Sequence, residues 1–61
     1  MRNIEITVIK DNTVIIKYVS DIVPIVGDCI EIPEKGTYVV NDRTFLATNN
    51  RVKLVVESIM L

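Results

Sequence analysis

The 61-residue chain has no histidine, no tryptophan, one cysteine, two glycines and two prolines. Each scarcity removes some chemistry. Without histidine, general acid–base work would fall to carboxylates or to Cys29. Asp28, next to Cys29, is a poor activator of a thiol. A single cysteine excludes a disulfide within the chain, and one thiol without histidine argues against a structural zinc site. Cys29 is therefore expected to be a buried or half-buried structural residue. The aspartates Asp11, Asp21, Asp28 and Asp42 stand singly at expected turns, where Asp serves backbone geometry without any site. Neither metal-ligand spacing nor a glycine-rich phosphate loop is present. The chain reads as no enzyme, with no cofactor and no metal.

Long apolar runs are also missing. No stretch approaches the ~18 residues needed to span a membrane. The opening Met1–Glu5 lacks signal-peptide form, because Glu5 and Lys10 interrupt any apolar core. With a free thiol, this gives an expectation of a reducing, cytoplasmic setting. The net charge of −1, with both signs interspersed, lacks the concentrated cations from which nucleic-acid binding draws most of its affinity.

What the chain has in quantity is isoleucine and valine. Branching at the β-carbon costs rotamer freedom in a helix and suits a pleated sheet. Ile4, Ile6 and Val8 alternate with Glu5 and Thr7, which predicts a half-buried strand. Asp11-Asn12 is a two-residue turn, since both residues tolerate positive φ. Thr13 to Val19 returns as a second strand, with Val14, Ile16 and Tyr18 in one register. Pro24 argues against a central strand in Ser20–Gly27; that apolar segment is expected to lie against the barrel. Asp28 to Ile32 is a short strand, followed by a turn at Pro33-Glu34-Lys35-Gly36. Thr37 to Thr48 reads as a strand interrupted by a bulge or bend at Asn41-Asp42-Arg43. Asn49-Asn50 turns the chain into a last strand, Arg51 to Ile59.

Five short strands, tight hairpins and a long loop after strand two predict one all-β domain over residues 1–61. The expected architecture is a small five-stranded SH3-like barrel, with an OB-like partly open barrel as the alternative. Three stretches carry a resemblance: Pro24, Gly27, Asp28 and Ile30; Tyr38, Val40, Arg43 and Phe45; then Arg51, Val52, Leu54, Val56 and Glu57. Over residues 24–57 the pattern resembles small SH3-like β-barrel proteins of phages and mobile elements. The resemblance implies a fold and a genomic setting, and with it the host cytoplasm. It carries no catalytic residues.

Two features bear on partners. The strands hold more apolar residues than one small core can hide. If Ile4, Ile6 and Val8 face inward, Ile9 faces out; Ile15 and Val19 oppose Val14, Ile16 and Tyr18; Val55, Ile59 and Leu61 share the register of Arg51 and Lys53. A contiguous exposed apolar patch marks an interface. A domain of this size is only marginally stable alone. The expected function is a non-enzymatic protein-interaction module. It works as a homo-oligomer and binds or occludes another protein through Ile9, Ile15, Val19, Val55, Ile59 and Leu61. Val23, Ile25 and Val26 are the candidate lid on that second apolar face. The alternative is a nucleic-acid-binding barrel using Lys17, Tyr38, Arg43, Arg51 and Lys53. Exposed aromatics beside basic groups are what single-strand binders use, although a core place for Phe45 and half-buried rings for Tyr18 and Tyr38 is the plainer expectation.

Overall fold

The computed structural model describes residues 3–59. Five strands form one strongly curled mixed sheet, a half-barrel: β1 (Ile4–Lys10), β2 (Thr13–Ser20), β3 (Cys29–Ile32), β4 (Gly36–Leu46) and β5 (Arg51–Ser58). Their order across the sheet is β2-β1-β5-β4-β3. Neighbours are antiparallel except for the parallel pair β1 and β5.

The turns follow from the residues that make them. Asp11 and Asn12 both adopt positive φ (52° and 61°), the mirror-image geometry that matches the right-handed twist of a hairpin. At the next turn the Lys35 amide donates to the Ile32 carbonyl at 3.0 Å. Pro33 presets the first central position. Glu34 occupies the second with φ 69°, where a type II turn favours glycine or asparagine. Gly36, at φ 122°, then takes a conformation that a side chain would strain. The last hairpin closes through four residues, 47–50, rather than the expected pair, and Asn50 supplies the positive φ (54°).

Alternation builds the core. Ile6, Val8, Ile32, Tyr38, Val40, Val52, Leu54 and Val56 are buried on the concave face. Cross-strand partners sit on the same side of the sheet, so the register Ile6↔Val52 and Val8↔Leu54 stacks the four central residues. Two bulges adjust the curl. The one expected near Asn41 falls between Val40 and Asp42 of β4. The other lies opposite Val8 and Ile9, where Ile16 and Val14 are the partners and Ile15 is the extra residue.

That second bulge corrects the register expected for β2. Ile15 packs against the core rather than facing out, and Val14, expected inside, is exposed. Phe45, expected in the core, is 53% exposed. The four-residue β3 pairs with β4 only over 36–39, so among the described strands the far half of β4 is flanked by β5 alone and Phe45 is left uncovered on the other side. Cys29 is exposed rather than buried, because it opens that short edge strand in the outward register. The 20–27 segment is no lid on the outer face: Val23 packs against the core, while Ile22, Ile25 and Val26 are exposed.

The Glu34 conformation generates a prediction. Relieving left-handed strain at a non-glycine residue is worth about 1 kcal/mol, less the extra freedom glycine brings to the unfolded chain. Glu34→Gly is therefore expected to raise unfolding stability by roughly 0.5 kcal/mol, read as an increased urea midpoint; a lower midpoint contradicts the turn assignment.

Candidate interaction surface

The curl brings the two outer strands, β2 and β3, toward each other without closing the barrel. No Cα of β2 lies within 8 Å of one in β3, whereas paired strands stand ~4.8 Å apart. Between them is an open slot of about 330 Å³ lined by Ile16, Tyr18, Ile30, Glu31, Ile32 and Pro33. Four of these are concave-face side chains: Ile30 is paired with buried Tyr38, Ile32 is itself buried, Tyr18 is paired with Ile6, and Ile16 with Val8. Both strands flanking the slot keep one row of backbone N–H and C=O groups unpaired by any other described strand. Such edges are templates for pairing with another strand.

The outward registers differ in character. Lys17 is the one charged residue of β2 and Glu31 the one charged residue of β3. Lys17 is paired with Thr7 and Glu31 with Thr37, so both lie on the convex face. Next to them on that face come Val19 and Cys29, both exposed. The two sides of the slot thus carry opposite charges on the same face of the sheet.

The residues expected to form an apolar interface are partly gathered. Ile9 and Val55 are cross-strand partners on the convex face, and Val14 continues their row. Val19 shares that face nearer the other end of β2. Ile59 follows β5, its amide donating to the Thr37 carbonyl at 3.0 Å, and is half-buried. Ile15 turns to the core, and Leu61 lies outside the described residues.

The expected nucleic-acid set divides between two faces. Lys17, Lys53 and Arg51 are convex, with Lys17 and Lys53 flanking Thr7. Arg51 pairs with Glu5 at 3.4 Å, an exposed ion pair of small energetic weight. Tyr38 is buried, donating its hydroxyl to the Lys35 carbonyl at 3.0 Å. Arg43 lies over the exposed Phe45 ring, 4.5 Å from its centroid. Its Nε is buried without a hydrogen-bond partner among the described residues. A cation held this way on an exposed ring was not foreseen from the sequence; the i, i+2 spacing of Arg43 and Phe45 on one strand was the available signal.

Against known proteins the chain matches no family model, no curated protein and no solved structure.

Tyr18, at the mouth of the slot, supplies a pH-dependent prediction. Burial pushes its phenol above the ordinary value of 10.0, so the folded state holds this proton more tightly than the unfolded one. The favourable contribution is complete below the unfolded-state value and lost as pH rises through and beyond it. Stability is expected to fall more steeply above about pH 10 in the wild type than in Tyr18→Phe. Parallel urea denaturations across that range test this, and coincident slopes contradict it.

Proposed function

We propose that this chain is a non-enzymatic protein-interaction module that works as a homo-oligomer. Its action is to bind or occlude a partner through preformed β-structure. The observation carrying this reading is the unclosed barrel: two free strand edges flank an apolar slot. Main-chain hydrogen bonds along such an edge supply affinity, and pockets for alternate side chains supply specificity. We place the chain in the same proposal as an SH3-like barrel of the phage and mobile-element kind, acting in the host cytoplasm. Supporting this are the five strands, the segment that links the second to the third and the bulge near Asn41 in the fourth.

The nucleic-acid reading draws less support. Its cations fall on both faces of the sheet, one of them is engaged by Glu5, and Tyr38 has no exposed ring on which a base could stack. Binding to a phosphate backbone needs clustered positive charge.

Light scattering on the purified chain tests the reading. The expected result is a mass above the 6.9 kDa of one chain at a concentration of tens of micromolar, falling toward it on dilution. A monomer across the accessible range overturns it.

A further inference from the structure

We infer that the occupant of the open slot is a second copy of this chain, docked so that β2 of each copy pairs with β3 of the other. This rests on the homo-oligomeric reading above and gives it an interface.

Strand direction, charge and the register that the charges set agree on that pairing. The first is strand direction. Since β1 and β5 are parallel while β1–β2, β4–β5 and β3–β4 are antiparallel, β3 runs with β1 and opposite to β2. A two-fold axis along the strands preserves these directions in the second copy. It therefore sets each β2 antiparallel to the facing β3. Both pairings form together, because the contact is the same in each direction. Two half-barrels then share one continuous sheet in which each four-residue β3 pairs with part of the eight-residue β2 edge.

The second feature is charge. The lone cation of β2 and the lone anion of β3, Lys17 and Glu31, have the same convex orientation. Opposite charges directly across an antiparallel pair stabilise it, and like charges destabilise it. Pairing β2 with a second β2 would bring equivalent Lys17 edges together, and pairing β3 with β3 would do the same for Glu31. The mixed pairing alone brings unlike charges together.

The third is register. Setting Lys17 opposite Glu31 places Tyr18 opposite Ile30 and Ile16 opposite Ile32. All four already line the slot. The same register sets exposed Val19 opposite exposed Cys29 on the convex face. A shift of one residue would put every one of these side chains against the wrong face. Closure of one chain on itself would use the same residues. In the structure those strands stand apart around the slot, whereas a second copy reaches both edges at once.

Charge reversal distinguishes these arrangements. In the dimer, Lys17→Glu gives two Glu–Glu contacts and Glu31→Lys gives two Lys–Lys contacts. Each single variant is expected to weaken dimerisation by roughly tenfold or more, read by sedimentation equilibrium. Mixing the two variants restores both opposite-charge contacts in a heterodimer, and the double variant restores them in a homodimer. Circular dichroism checks that each single variant remains folded. Recovery of dimer mass on mixing supports the inference. Larger assemblies on mixing contradict the two-fold arrangement. Wild-type oligomers unaffected by either reversal overturn the interface while leaving the homo-oligomeric reading intact; a wild-type monomer overturns both. Reversals that alter stability with no concentration dependence and no rescue on mixing assign the charges to closure within one chain.

Discussion

Two hairpin-built units of this chain meet along one parallel pairing, β1 against β5, which governs where every other strand must go. It places the strands nearest the chain ends at the centre of the sheet, where Ile6, Val8, Val52 and Leu54 are fully or almost fully buried. Their hairpin partners are consequently pushed outward. β2 becomes one edge by pairing with β1, while β4 and then β3 extend the other side. The core is thus made from the middle of the sheet, and the openings are made from its margins.

Curvature follows from the same arrangement. The bulges at Ile15 and Asn41 sit one on each side of the central pair, where an added residue strengthens the local bend. They bring the margins round to face each other but do not join them. A half-closed barrel retains its backbone hydrogen-bonding capacity at two edges and its apolar surface in one slot. Both are costly in an isolated small domain and useful in one that associates. The proposed dimer meets both demands with a single contact repeated twice.

Much of the local structure was legible in the sequence. Asp11-Asn12, Pro33 through Gly36 and the irregularity near Asn41 all carry residues whose backbone preferences mark their positions, and the strands between them alternate. The β2 bulge was not legible, because Val14-Ile15-Ile16 is an unbroken aliphatic run with nothing to show which residue is extra. That hidden insertion reversed the facing of Val14 and Ile15. Phe45 was misplaced for a different reason: its exposure depends on how far β3 extends along β4, a tertiary property invisible in either strand. Cys29 was misplaced although its outward facing follows from alternation with Ile30 and Ile32. The parallel pairing was likewise silent, since it joins residues almost fifty positions apart without a turn to announce it. For the candidate surface, Lys17 and Glu31 were visible as residues, but their relation required the strand order and the facing of each edge.

A cross-link across the slot tests the central claim most directly. In the proposed register Val19 stands opposite Cys29 of the second copy, and Cβ atoms directly opposite on an antiparallel pair lie ~5 Å apart. Val19→Cys, oxidised with glutathione disulfide and measured by mass spectrometry without reductant, is expected to give a covalent dimer. Peptide mapping should find position 19 joined to Cys29. A disulfide between the same positions at the mass of one chain, or no such linkage at all, contradicts the account.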